Sequence, residues 1–214
     1  SPRLILFGSL RSAGAGLGNK FLSHIRDVDA IAHIVRCFED TDIIHVMDSV
    51  DPLRDIEVIE AELAIKDMET LDARIERVEK LSRSGDKEAQ RQFNVLKKVR
   101  DHLDGGGQAR QIKLDDNDRP IIDEMRLLTD KPVLFVANVH EKDLPAGNRF
   151  SDAVKKWATD HGAGCVLISG KIESEIAVMP AADQADFLEA VGLTEPGLNR
   201  VIRAGYDLLH LVTY

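Results

Sequence analysis

The sequence predicts an α/β protein in which a mostly parallel sheet, covered by helices, is interrupted by a long helical hairpin. Three observations predict it. Apolar runs of strand length recur at 4–7, 30–38, 132–137 and 165–168. Helical patterns alternate with the later runs, the order that builds parallel sheets. Between residues 56 and 103, apolar residues instead return at gaps of three and four, the period of a one-faced helix.

In chain order, Leu4–Phe7 is a short strand. Gly8, Gly14, Gly16 and Gly18 mark a loop, and Asn19–Ile25 starts a helix. Ala30–Phe38 is rich in β-branched residues and reads as a buried strand. The chain changes character after Asp51-Pro52. Ile56, Ile59, Leu63, Met68, Leu71, Ile75 and Val78 form the stripe of one helix, ending near Leu81. Gly85 supplies a turn. Ala89, Phe93, Leu96, Val99 and Leu103 form a second stripe, closed by Gly105-Gly106-Gly107. Two charge-rich helices joined by a short turn make an antiparallel hairpin, either a structural arm or one that binds a partner. Beyond it come a helix at Pro120–Leu128, a strand at Pro132–Ala137, a helix at Arg149–His161 and a strand at Cys165–Ile168. The chain from Glu173 is helical in parts, broken at Pro180 and Thr194–Gly197, and Leu198–Leu211 is the last helix. This gives three segments: 1–50 and 116–214 make the sheet domain, and 51–115 is the helical insertion.

Composition excludes several classes. The 214 residues are 43% apolar and 30% charged, an ordinary globular balance. No apolar run reaches the roughly 18 residues of a membrane helix, and no signal peptide opens the chain. A net charge of −9 argues against a general nucleic-acid binder, though not against local basic patches. Cys37 and Cys165 lie far apart in apolar runs and read as buried thiols of a reducing compartment. The seven histidines show no metal-ligand spacing.

Parallel sheets bind ligands at the carboxyl ends of their strands. Two such loops stand out: Asn138-Val139-His140-Glu141 and Ser169-Gly170-Lys171. In guanine-binding P-loop proteins the first reads N-K-x-D and the second S-A-K. The Asp accepts the two N–H groups of guanine's edge and the Lys stem covers the base. Here Val139 stands in the Lys place and Glu141 in the Asp place, changes that weaken guanine selection and point to adenine. Either loop alone is a weak signal; the pair, each after an apolar strand in the right order, is stronger.

Longer stretches carry a wider likeness. Gly16-Leu-Gly-Asn-Lys-Phe-Leu22, Asp29-Ala-Ile-Ala-His-Ile-Val-Arg-Cys-Phe38 and Val50-Asp-Pro-Leu-Arg-Asp-Ile-Glu-Val-Ile59 resemble the YchF-type (Obg-like) ATPases. So do Lys131-Pro-Val-Leu-Phe-Val-Ala-Asn-Val139 and Glu195-Pro-Gly-Leu-Asn-Arg-Val-Ile-Arg-Ala-Gly-Tyr206. The resemblance implies a P-loop NTPase domain of the translation-factor class with a coiled-coil arm at the hairpin. It implies ATP preferred over GTP, magnesium as cofactor, association with the ribosome and a cytoplasmic setting. It assigns Asn138, Val139 and Glu141 to the base-recognition motif, and Ser169, Gly170 and Lys171 to the second base-side loop.

The chain also departs from that family. A Walker A loop, G-x-x-x-x-G-K-[ST], wraps backbone N–H groups round the phosphates and supplies the magnesium hydroxyl. No such string occurs; Lys20 is the nearest lysine, with no G-K pair and no following hydroxyl. Where the family has D-x-x-G, an ungapped reading back from Gly14 puts Arg3 and Leu6. The expectation is therefore a partial P-loop sheet, truncated at both ends. It lacks the phosphate loop, most of the hydrolysis machinery and the C-terminal ubiquitin-like TGS domain. Exposed sheet edges then invite self-association, with Leu4–Phe7 a candidate to fill the missing strand's place. The alternative is a non-catalytic module that binds a ribosome or another protein through the hairpin.

Overall fold

The computed structural model describes residues 3–8, 18–39 and 50–210, with the backbone alone for 19–21 and 210. Residues 1–2, 9–17 with Gly14 and Gly16 of the expected loop, 40–49 and 211–214 lie outside the described residues. The chain forms two compact units. One comprises Ser1–Arg11, Val28–Ile56 and Pro132–Tyr214; the other comprises Ser12–Asp27 and Glu57–Lys131.

The first unit holds a four-stranded sheet. Its strands are β1 (Leu4–Gly8), β2 (Ala30–Arg36), β3 (Val133–Asn138) and β4 (Gly164–Ile168). All neighbours are parallel and the spatial order is β1-β2-β3-β4. Strand alternation sorts the side chains. Leu4, Ala32, Ile34, Leu134, Val136, Val166 and Ile168 face one side, where Val201, Ala204 and Leu208 pack on them. Those three belong to a long helix, Gly197–His210. A Cβ at Gly205 would lie only 3.0 Å from a Leu4 methyl, so this glycine lets helix and edge strand approach. On the other side, cross-strand neighbours Phe7, His33 and Phe135 form a ladder, with ring centroids 4.7 and 5.8 Å apart. Burial lowers the His33 pKa to about 4; a neutral ring suits the apolar layer.

Three further helices of this unit follow the last two strands: Arg149–Asp160 after β3, and the pair Gly170–Val178 and Ala181–Ala190 after β4. In chain order the α-helices among the described residues are α1 (Asn19–Arg26), α2 (Pro52–Ser82), α3 (Lys87–Asp104), α4 (Arg119–Asp123), α5 (Arg149–Asp160), α6 (Gly170–Val178), α7 (Ala181–Ala190) and α8 (Gly197–His210). Asn148 caps α5, accepting from the Phe150 and Ser151 amides, while Ser151 Oγ accepts from the Asn148 amide. This reciprocal cap satisfies donors that a helix start leaves open. Ile172 and Ile176 of α6 pack against Leu188 and Leu193, burying the α6–α7 pair. Glu173 of α6 accepts from the amides of Gly197 and Leu198 at 2.7 and 3.0 Å, capping α8. Cys37 is buried and Cys165 half-buried, both free thiols. Burial pushes them up to about 12 and about 11, so both stay protonated and unreactive at neutral pH.

The second unit is built on the hairpin of α2 and α3. Leu71 and Val78 pack with Leu96, Val99 and Leu103 in one core, so each expected stripe is covered. Gly85 takes the φ of +89° that the turn requires, and Asp86 caps α3 through the Glu88 and Ala89 amides. Arg100 pairs with Asp72 across the hairpin at 3.2 Å. The unit runs past residue 115, the expected end of the insertion, to Lys131. The reason is Asp67. This fully buried carboxylate accepts from the Leu128 amide, the Thr129 amide and the Thr129 hydroxyl at 2.7–2.8 Å.

The same contact corrects one element. A helix was expected over Pro120–Leu128, but α4 ends at Asp123. Arg126 takes a φ of +48°, turning the chain so that Leu127 and Leu128 enter the core. The Leu128 and Thr129 amides then reach Asp67 instead of helical carbonyls. Among the described residues no helix is long and apolar enough to cross a membrane.

Candidate nucleotide-base site

The two singled-out loops meet where β3 and β4 end. β3 stops at Asn138, registered opposite Ile168 at the end of β4. The Val139 amide donates to the Ile168 carbonyl at 2.9 Å, continuing the ladder one residue further. That bond and its burial make Val139 a packing residue, 2% exposed; its side chain has no access to a ligand. Asn138 Oδ1 accepts from the Gly170 amide at 2.8 Å, clasping one loop to the other. A Cβ at Gly170 would sit 3.4–3.8 Å from the Asn138 carboxamide, so the clasp is already at contact distance.

Gly170 and Lys171 were expected in a loop and are instead the first two residues of α6, with Ser169 at its N-cap. The Ser169 carbonyl accepts from the Glu173 amide at 3.0 Å, as a first helical turn requires. Its hydroxyl is buried and has no hydrogen-bond partner among the described residues. Glu141 opens a short 3-10 turn, Glu141–Asp143, whose cap is His140 accepting from the Lys142 amide at 3.3 Å. Lys171 reaches back to it, Nζ to Glu141 Oε1, at 2.5 Å. The bond to Lys171 holds the Glu141 carboxyl below the usual carboxylate range, and Glu141 in turn raises Lys171. Asn138, Glu141, Gly170 and Lys171 are thus joined by two bonds across 30 and more residues of sequence, while Val139 and Ser169 brace them from inside.

Beside this cluster lies an open cavity of about 220 Å³, lined in part by Phe38, His140, Asp143, Asn148 and Phe150. Ligand pockets usually run to about 300–1,000 Å³, so this one suits a single ring system better than a whole nucleotide. Asn148 shapes it, donating to the Cys37 carbonyl at 2.8 Å and to Asp143 at 2.7 Å. Of these lining residues, only His140 lies in a loop that the sequence marks out. Phe38 lay inside a strand-like run, and Asn148 has no motif; only the helix start at Arg149 hinted at a cap. Among the described residues no group of three or more His, Cys, Asp or Glu side chains converges to hold a metal ion.

No family model matches the chain. Known relatives do. A Haemophilus ducreyi protein, named ribosome-binding ATPase YchF, is 45% identical over 203 residues, covering 95% of this chain and 56% of the relative. The Bacillus subtilis protein of the same name is 44% identical over 205 residues, with the same coverage. The solved structure of the Schizosaccharomyces pombe YchF GTPase superposes with a TM-score of 0.82 at 32% identity, over 92% of this chain and 55% of that one. Over this span the chain is YchF-like in both sequence and fold. Its α/β sheet is therefore part of a P-loop NTPase fold, and the expected family resemblance holds over the span matched. The chain spans about half the length of the curated YchF relatives it matches.

Proposed function

We propose that this chain carries the base-reading half of a ribosome-associated, cytoplasmic nucleotide hydrolase that binds ATP in preference to GTP. The supporting observation is the clasp between Asn138 Oδ1 and the Gly170 amide. It assembles, at the carboxyl ends of two parallel strands, the two loops that the resemblance assigns to the base. The exposed start of α6, at Gly170 and Lys171, adds polar positions that a heterocycle can meet. The phosphates and magnesium are another matter. The sequence holds no Walker A string, and that loop supplies most of the electrostatic stabilisation in phosphoryl transfer. These 214 residues should therefore bind weakly and not hydrolyse. Magnesium-dependent turnover within about tenfold of a full-length relative would contradict this.

Calorimetric titration with ATP and with GTP, magnesium present, tests the base site. Measurable ATP binding that disappears in Asn138→Ala supports it; binding that survives the substitution places the base elsewhere. A second reading draws on the hairpin. Val58, Ile65 and Leu81 of α2 are about half exposed, an apolar offering on an otherwise charged arm, and fit a non-catalytic role in binding a ribosome or another protein. Co-sedimentation with ribosomes that is lost on Ile65→Glu, with nucleotide binding intact, favours that role.

A further inference from the structure

Asn148 uses its side chain completely. A carboxamide has two N–H donors and one oxygen able to accept twice. The oxygen caps α5, accepting from the Phe150 and Ser151 amides at 3.0 Å each. The nitrogen has no part in the cap. One of its N–H groups goes to the Cys37 carbonyl at 2.8 Å and the other to Asp143 Oδ2 at 2.7 Å. A helix cap needs only the oxygen, and serine or aspartate supplies one about as well as asparagine. The nitrogen half of the side chain therefore calls for a second role.

Its partners show which. Cys37 directly follows β2, and its amide donates to the Asn138 carbonyl at 2.8 Å. Asn138 Oδ1 in turn holds the Gly170 amide. Hydrogen bonds thus run from the start of α6, through the ends of β3 and β2, to the start of α5. The Cys37 carbonyl shares a rigid peptide plane with the Phe38 amide, so Asn148 fixes the unit from which the Phe38 side chain departs. Asp143 is the last residue of the 3-10 turn that Glu141 opens. Phe38, His140, Asp143 and Phe150 all line the cavity of about 220 Å³.

We infer that Asn148 is a positioning residue, latching the end of β2 to the turn after β3 and so holding the cavity walls in place around the ring of a bound nucleotide. This rests on the base-site reading given above. The two sides of the latch differ in what else holds them. The turn keeps its own closure, because the Gly147 amide donates to the Asp143 carbonyl at 2.6 Å and Gly147 takes a φ of +89°. On the β2 side, Arg149 pairs with Glu39 at 3.1 Å, but those side chains are 78% and 64% exposed, and so open a pair holds little. Loss of the latch therefore frees the Phe38 wall more than the turn. A wall that must be ordered again on each binding event weakens the ligand by roughly tenfold.

The test separates the latch from the cap. ADP is titrated calorimetrically into the full chain, unaltered and as Asn148→Asp and Asn148→Ser, with circular dichroism to check that each is folded at the titration temperature. Both substitutions keep an oxygen for α5 and remove both N–H donations. Aspartate adds a charge and serine does not, so agreement between them excludes a charge effect. The latch predicts a loss of ADP affinity of roughly tenfold or more in both, with helix content retained. A cap alone predicts unchanged affinity in both, and that result overturns this inference while leaving the base-site reading in place. Unfolding of both variants also overturns it, since Asn148 would then serve the stability of the fold; where only one folds, its affinity decides. Failure of the unaltered chain to bind ADP overturns the base-site reading, and this inference with it.

Discussion

His33 lies between Phe7 and Phe135 and is 2% exposed, so its titration is a statement about stability. Its pKa is lowered by burial from 6.5 to about 4. The unfolded chain therefore binds a proton that the folded chain refuses between those values. Stability from this residue is complete above pH 6.5 and is lost as pH falls toward 4, by roughly 3 kcal/mol. Urea denaturation at pH 7 and at pH 4 should show that loss, and His33→Leu should flatten the slope in that window. Asp67 is the other residue on which much depends. Removing its side chain strands two buried amides and a hydroxyl, so Asp67→Ala should cost about 3 kcal/mol in denaturant titration. The two residues differ in how legible they were. An apolar run showed that His33 was in a strand. Nothing near Asp67 announced its partners, which lie 61 and 62 residues away. The base-site residues were legible because a motif fixes their types, yet their bonds were not. A loop was expected at Ser169-Gly170-Lys171 because the stretch directly follows a strand; the helix begins there because the Ser169 carbonyl and the Glu173 amide close its first turn.

At the scale of elements, the long helices were the plainest part of the sequence. Their stripes repeat over many turns, and each repeat adds to the signal. α2 and α3 match their expected course within a turn, whereas five-residue α4 had only a short apolar pattern behind it, overridden by the Asp67 contact. Helix ends depended on single side chains. Glu173 caps α8 from another helix, a relation invisible to local pattern. Glu173→Ala should lower the melting temperature by an amount corresponding to about 1–2 kcal/mol, measured by circular dichroism. Glu173→Gln, which keeps an acceptor, should lose less.

At the scale of the molecule, each compact unit has its own buried core, and each should give its own response to a core lesion. Leu96 is fully buried in the hairpin unit, so Leu96→Ala should cost that unit about 2–5 kcal/mol. Trp157, the single tryptophan, belongs to the sheet unit. Its fluorescence transition should move less than the far-ultraviolet helical signal; equal shifts would mean that the two units melt as one. The alternation of strands and helices made the sheet's parallel character legible, but not its order. The strands lie in unbroken succession, and the place of β1 at the edge could not be read from Leu4–Phe7 alone.

One face of the last helix decides how the purified protein will behave in a flask. Leu198, Ile202 and Tyr206 recur every fourth residue along α8 and are 48%, 46% and 56% exposed. As a colloid, the chain is an acidic particle of net charge −9 that carries this adhesive row, kept dispersed by mutual repulsion. Sulfate screens that repulsion and strengthens apolar contact together, so the protein should salt out early and be retarded on a phenyl column. Tyr206→Lys, which interrupts the row, should elute sooner and stay dissolved at higher ammonium sulfate.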